Sequence, residues 1–241
     1  MYFGYKETVA WCESVRRICL LSPAVLNGSV EVFVIPSFPV LDRARQLFSG
    51  TPIGLGAQNL HWEDVGPYTG EVSGTMLAEL GCRYVEVGHA ERRRIFKETD
   101  EVVAAKTEAA LRNGLVPVVC VGEPSPFSLA QSLEWCLEQI DSALSRTVDR
   151  PGRVIVAYEP VWAIGAAEPA LPGHIQAMCT GIRTALQAKP DLNVTLIYGG
   201  AAGPGLLSEL RANIDGLFLG RSVHSPAALG LVLGEVSAFD A

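Results

Sequence analysis

The feature that most narrows the folding options is a series of short, almost continuously apolar segments, each closed by Gly, Pro or a polar residue. They read "VEVFVIP" from Val30, "TPIGLGAQN" from Thr51, "RYVEVGH" from Arg83 and "LVPVVCVGE" from Leu115, then "RVIVAYEP" from Arg153, "NVTLIYGG" from Asn193 and "DGLFLGR" from Asp215. A strand with one face in water alternates apolar and polar residues. These do not, so both faces are covered, as in parallel sheets. The stretches between them have helical spacing. In "DEVVAAKTEAALRNG" an acidic start, a periodic apolar face and a terminal Gly predict a helix from Asp100 to Asn113. A βα unit repeated at about 30 residues predicts an α/β fold, a (β/α) barrel or a doubly wound sheet. Seven strand segments are visible rather than eight. At 241 residues, 49% of them hydrophobic, the chain suits one barrel, so a single domain over 1–241 is expected. No linker interrupts it. The longest irregular piece, "AQNLHWEDVGPYTGEVSG" from Ala57, is long for a βα connection and is expected to be functional or to form an interface.

Composition excludes several classes of partner. A net charge of −7 and a pI near 5.2 leave no broad cationic face for nucleic acid. No apolar stretch reaches the roughly 18 residues of a membrane span, and no basic leader with an apolar core opens the chain. The six cysteines are scattered without a C-x-x-C pair, which predicts buried free thiols, a reducing compartment and a cytoplasmic protein. No metal-ligating cluster stands out.

In parallel α/β folds chemistry gathers at the carboxyl ends of strands. Glu159 ends the apolar run "VIVAYEPVWAIG", where desolvation can raise its pKa and make it a base near neutral pH; a solvated strand-end acid is the plain alternative. His89 ends "YVEVGH" just before a helix, where the positive helix terminus favours a neutral imidazole that can donate to a carbonyl. A histidine that merely caps or packs is the competing reading. Glu91 and Arg92 follow in the first turn, either as a solvated charged face or as a buried pair fixing nearby loops. Glycines at two further strand ends, Gly199 and Gly200 in "YGGAAG" and Gly220 in "LGRS", let backbone N–H groups approach a phosphate. A base, an electrophile and a phosphate cradle on different strands fit proton transfer α to a carbonyl in a phosphorylated sugar, through an enediolate.

These residues resemble the triosephosphate isomerase family. The likeness rests on "AYEPVWAIG" (157–165), "GHAERRRIFKETD" (88–100), "GAQN" (56–59), "YTGEVS" (68–73) and "YGG" (198–200), and extends from about Glu31 to about Ser222. It implies a TIM (β/α)8 barrel and an aldose-ketose isomerase interconverting glyceraldehyde 3-phosphate and dihydroxyacetone phosphate, with a place in glycolysis and gluconeogenesis and no cofactor. Glu159 would be the proton-shuttling base, His89 the electrophile and residues 160 to 169 a lid; the glutamate, neutral histidine and lid are that family's mechanism and come here by resemblance. Gly165, Gly199, Gly200, Ala201, Gly220 and Arg221 would surround the phosphate, with Asn59, Glu91 and Arg92 in support. The family is dimeric, and Tyr68, Thr69, Gly70 and Glu71 match the loop that reaches the neighbouring subunit. The chain also departs from the pattern: Ala90 replaces a serine after the histidine, Ala166, Ala167 and Glu168 replace Thr-Gly-Lys after "WAIG", Ala201 replaces a phosphate-binding serine, and Arg221 replaces a glycine. Arg221 either binds phosphate through its fork of donors or turns to solvent. These changes bear on the substrate more than on the reaction, and a paralogue acting on a four-carbon sugar phosphate such as an erythrulose phosphate is the alternative. A non-catalytic sugar-phosphate binder is a further one, while an aldolase or synthase would need a Schiff-base lysine or a metal site.

"MYFGYKETVAW" admits two alignments. In one, "YFGYK" is a shortened first strand and Lys6 is the family's catalytic cation. In the other, Met1 follows that lysine and residues 2 to 5 lead into the first helix. Strand geometry favours the second: "MYFGY" holds a glycine and no β-branched residue, while Trp11, Val15, Ile18 and Cys19 already mark a helical face. Seven barrel strands are therefore expected, with open edges on those beginning near Val30 and Asp215.

Overall fold

The computed structural model describes residues 1–147, 152–166, 169–187, 193–210 and 212–237; Ala167, Glu168 and the last residues of the 1–241 span lie outside them. The elements run α1 (Tyr5–Leu20), α2 (Pro23–Leu26), β1 (Phe33–Val34), α3 (Leu41–Phe48), β2 (Gly54–Ala57), α4 (Gly74–Glu79), β3 (Tyr84–Val87), α5 (Ala90–Phe96) and α6 (Asp100–Arg112). Then come β4 (Val116–Val121), α7 (Leu129–Leu144), β5 (Arg153–Tyr158), α8 (Pro172–Gln187), β6 (Asn193–Tyr198), α9 (Leu206–Leu210), β7 (Gly216–Leu217) and α10 (Pro226–Ser237). The seven strands form one parallel sheet in the order β1-β2-β3-β4-β5-β6-β7, so each helical crossover returns the chain beside the strand it left.

Both faces of the strands are buried, which explains their unbroken apolar sequence. Tyr84, Val118, Cys120, Ile155, Ala157 and Ile197 pack together on the concave side, with Phe33 and Phe218 against them. Their neighbours Val85, Val119, Val154 and Val156 point the other way, into a shell with Cys136, Ile140, Met178 and Ile182 of the outer helices. All six cysteines are free and buried. At the amino end of the strands, the Tyr84 hydroxyl donates to the Glu31 carboxylate, which also pairs with Arg153 at 2.5 Å and Arg83 at 3.3 Å. This ionic cluster closes the lumen opposite the end where Glu159 and His89 lie. No described helix is long and apolar enough to cross a membrane.

No eighth strand occurs among the described residues, and β1 and β7 are the two edges of the sheet. Residues 2 to 6 do not pair between them. Lys6 lies exposed in the first turn of α1, and the rings of Tyr2 and Phe3 sit 5.0 and 4.7 Å from His224, beyond β7. Helix α1 packs on α3 and α10 and so covers the seam from outside, held by the Trp11 Nε1 donating to the Val223 carbonyl at 2.8 Å. The edges are also the shortest strands, two residues each, whereas β4, β5 and β6 have six. Hydrogen exchange should therefore rank the strands: amides of β4 to β6 open only with global unfolding, and those of β1 and β7 exchange at least about tenfold faster. Equal protection across all seven would contradict an open seam.

Candidate active site

Strand β5 carries five consecutive buried residues, Val154 to Tyr158, and delivers Glu159 at its carboxyl end. The Glu159 amide donates to the Val121 carbonyl at 2.8 Å, extending the β4–β5 ladder by one residue. Glycines on both neighbouring strands make room. A Cβ on Gly122 would lie 1.9 Å from the Glu159 carbonyl oxygen, and one on Gly199 would lie 2.6 Å from the Glu159 Oε1. Glu159 is 6% exposed, and its Oε2 has no hydrogen-bond partner among the described residues. Burial raises its pKa, with Glu91 adding to that and His89 and the Cys120 thiol opposing it.

His89 caps α5. Its Nδ1 accepts the Glu91 N–H at 3.3 Å, so in the neutral ring the hydrogen sits on Nε2, which faces the Glu159 Oε2 at 3.9 Å. The sequence reading weighed the helix terminus alone and expected a neutral imidazole. The folded site adds opposing influences: burial pulls the imidazole pKa down, but Glu86, Glu159 and Glu91 together outweigh it, and the net shift is upward. Nε2 carries a hydrogen in either state.

The glycine-rich loops divide in their roles. The Gly199 N–H already donates to the Tyr158 carbonyl at 2.9 Å, so this glycine provides clearance for Glu159 rather than a free donor. The amides of Gly165, Gly200, Gly220 and Arg221 donate to no backbone acceptor among the described residues. Ala201 turns the chain at φ 53°, a left-handed conformation that a non-glycine residue rarely adopts. Gly165 has φ 78°, and a Cβ there would stand 2.8 Å from an Arg221 terminal nitrogen, so the guanidinium rests on the segment that follows β5. The Ser222 hydroxyl donates to the Ala202 carbonyl at 2.5 Å, tying the loops after β6 and β7 together. That post-β5 segment starts on a buried anchor: the Trp162 Nε1 donates to the Glu123 Oε1 at 2.9 Å, and the Val161 N–H to the Glu123 carbonyl at 3.0 Å.

Of the supporting residues, Glu91 does not pair with Arg92. Arg92 meets Glu98 at 2.5 Å; the buried Lys106 Nζ donates to the same Glu98 oxygen at 2.5 Å and to the Asn59 Oδ1 at 2.7 Å. This network joins the loop after β2 to α5 and α6, so Asn59 and Arg92 support the same corner of the site. The four loop residues Tyr68, Thr69, Gly70 and Glu71 are exposed at the tip of a finger, closed at its base by the His61 N–H donating to the Val72 carbonyl at 2.8 Å and stiffened by the tilted contact of the Tyr68 ring with His61.

Comparison with known proteins accounts for this geometry. The family model for triosephosphate isomerase matches residues 1–233. The chain belongs to the triosephosphate isomerase family. An L-erythrulose-1-phosphate isomerase from Pectobacterium atrosepticum is 49% identical over 98% of this chain and 92% of its own length. A triosephosphate isomerase from Thermoanaerobacter sp. is 42% identical over 90% of this chain and 91% of its own. The crystal structure of triosephosphate isomerase from Bartonella henselae superposes with a TM-score of 0.81 at 27% identity, covering 99% of this chain and 96% of that one. The chain is thus an enzyme of the aldose-ketose isomerase type, built on a TIM barrel of which seven strands occur among the described residues.

Sequence reasoning missed Glu86, Glu98, Lys106, Cys120 and Glu123. The signals were there for two of them: Lys106 interrupts the apolar face of its helix, and Glu86 interrupts an apolar strand. Glu86 has its pKa raised from 4.5 to about 7, first by burial and then by Glu159 and Glu91, against His89 and Arg92. A carboxyl with a folded-state pKa above its unfolded value favours folding most at low pH, and that contribution is lost as pH rises from about 4.5 through about 7. Relative to wild type, Glu86→Gln should accordingly gain about 2–3 kcal/mol of stability between pH 5 and pH 8 in urea unfolding. A difference that stays flat with pH would place Glu86 in contact with water.

Proposed function

We propose that the enzyme moves a carbonyl between adjacent carbons of a phosphorylated ketose through an enediolate, and that its substrate is a four-carbon ketose phosphate of the L-erythrulose 1-phosphate type. The observation that carries the chemistry is the approach of His89 Nε2 to within 3.9 Å of Glu159 Oε2, with the base desolvated at the strand ends. Glu159 takes the proton from the carbon next to the carbonyl, and the His89 Nε2–H bonds to the oxygen on which negative charge develops. Glu159 then returns the proton to the former carbonyl carbon, while the hydroxyl proton passes by way of His89 Nε2 to the former carbonyl oxygen, and the carbonyl reappears one position along. The free amides of Gly165, Gly200 and Gly220 hold the phosphate, and the Arg221 guanidinium adds charge where the family's serine hydroxyl is absent at Ala201. The family resemblance makes the segment after β5, described from 160 to 166, the start of a lid over the site.

The 49% identity of the erythrulose-phosphate enzyme, over nearly the whole of both chains, supports the four-carbon substrate, as do the substitutions around the phosphate loops. Interconversion of glyceraldehyde 3-phosphate and dihydroxyacetone phosphate is the second reading, favoured by the 42% identical triosephosphate isomerase. Both use the same proton transfer. Coupled assays of the wild-type chain on L-erythrulose 1-phosphate and on dihydroxyacetone phosphate discriminate between them. The expected result is kcat/KM at least about tenfold higher for the four-carbon substrate, with Glu159→Asp reducing kcat about 10²- to 10³-fold at little change in KM, and Arg221→Ala acting mainly on KM. No turnover of either would leave a sugar-phosphate binder as the reading.

The exposed finger tip at Tyr68 to Glu71 fits insertion into a second copy of the chain, so the enzyme is expected to be a homodimer. Light scattering at micromolar concentration should give twice 25.8 kDa, and Thr69→Arg should shift the mass toward the monomer. A wild-type monomer would remove the assigned role of the finger.

A further inference from the structure

Resting on the isomerase reading above, we propose that Glu86 is the residue by which this site recognises the hydroxymethyl end of a four-carbon ketose phosphate. Tyr84 belongs to the concave cluster, and the period-two alternation of β3 directs Glu86 to the same side, one step nearer the carboxyl end of the strand and three residues before His89. It lies opposite Val118 in the β3–β4 register, and the lumen side chain above Val118 is Cys120. Glu86 and Glu159 both act on the Cys120 thiol, and Glu86 in turn feels His89, Glu159, Glu91 and Arg92, so it stands among the reacting groups.

Two properties make it a recognition group rather than a structural acid. Its carboxyl has no hydrogen-bond or ion-pair partner among the described residues, and Glu86 is only partly buried, so it remains open to a donor entering the lumen. Placement supplies the second: the free amides and Arg221 that suit a phosphate follow β5, β6 and β7, whereas Glu86 lies on β3, across the lumen. A substrate anchored by its phosphate at β6 and β7 extends over Glu159 toward His89, and its remote end arrives beside Glu86. In dihydroxyacetone phosphate the reacting carbon at that end bears only hydrogens and its hydroxyl. In a four-carbon ketose 1-phosphate it also bears a hydroxymethyl group, whose O–H can donate to Glu86. A site built around that bond discriminates through it, because a triose leaves the acid unpaired.

The test compares wild type, Glu86→Leu and the near-isosteric Glu86→Gln on both substrates, with circular dichroism to confirm folding. For Glu86→Leu, kcat/KM on L-erythrulose 1-phosphate should fall at least about tenfold more than that on dihydroxyacetone phosphate, whose own loss reads only what Glu86 does to His89. Glu86→Gln, whose amide oxygen still accepts, should fall less on the four-carbon substrate, and it carries the comparison if the leucine variant does not fold. Equal losses on both substrates would mean that Glu86 acts through His89, and no loss on either would mean that it touches nothing that reacts; each overturns the inference while leaving the isomerase reading intact. A wild-type enzyme that turns over only the triose, or neither substrate, would overturn the four-carbon reading and this inference with it.

Discussion

The site depends on keeping one carboxylate, Glu159, out of water while holding it still. An ionised carboxyl with a buried, unpartnered oxygen costs several kcal/mol, and the surrounding structure has to be stiff enough not to relax around it. The stiffness comes from the three longest strands, β4, β5 and β6, which pair over full six-residue lengths on β5 and β6 and carry the backbone of Glu159 as an extra rung. Glycines at the ends of the two flanking strands let those backbones close in until nothing larger than hydrogen fits beside the glutamate. The least supported strands, β1 and β7, lie at the far edges of the sheet. A barrel open at that seam therefore still holds its base in place.

Much of this was legible from residue patterns. Parallel strands buried on both faces write themselves as unbroken apolar runs, so all seven were visible, and the helix beginning at Asp100 was framed by an acidic start and a Gly stop. Strand lengths were not. Edge strands lose ladder partners on one side, and Val30 to Pro36 shortens to Phe33–Val34 although its composition equals that of the central strands. Glu159 and His89 were legible because strand ends are where parallel folds place chemistry, whereas the protonation balance of His89 was not: it arises from Glu86 and Glu159, which lie on two strands and meet only after folding. Gly199 was read as a phosphate donor because glycine permits both a free amide and a close approach. Only the coordinates separate the two, since its N–H is already bonded to Tyr158.

The buried pair Glu98–Lys106 shows how a charged residue on an apolar face can be passed over in pattern reading. Lysine on a helix is ordinarily solvated, and "AAKTEAA" passes as an amphipathic face. In the fold it is 2% exposed and bonded to both Glu98 and Asn59, so that truncating any one of the three would strand a buried polar group. Arg92 completes the arrangement from the helix that His89 caps. The orientation of the electrophile and the position of the loop after β2 thus rest on the same charges.

The two sides of the site differ in sign, and this asymmetry orients the substrate. Toward β3 stand Glu86 and Glu91, with Glu159 between at the end of β5; toward β6 and β7 stand free backbone amides and the guanidinium of Arg221. A phosphate carrying nearly two negative charges cannot occupy the first side without repulsion from several carboxylates, so a bound sugar phosphate has one orientation open to it. Under the proposed function, the alanine at 201 and the guanidinium of Arg221 would shift phosphate recognition from neutral donors toward charge. On the other side, carboxylates accept what hydroxyl groups donate. The field that would exclude a reversed substrate is therefore also the one that would accept an additional hydroxyl at the remote end, so a single set of charges serves both the direction of binding and the proposed preference for a longer chain.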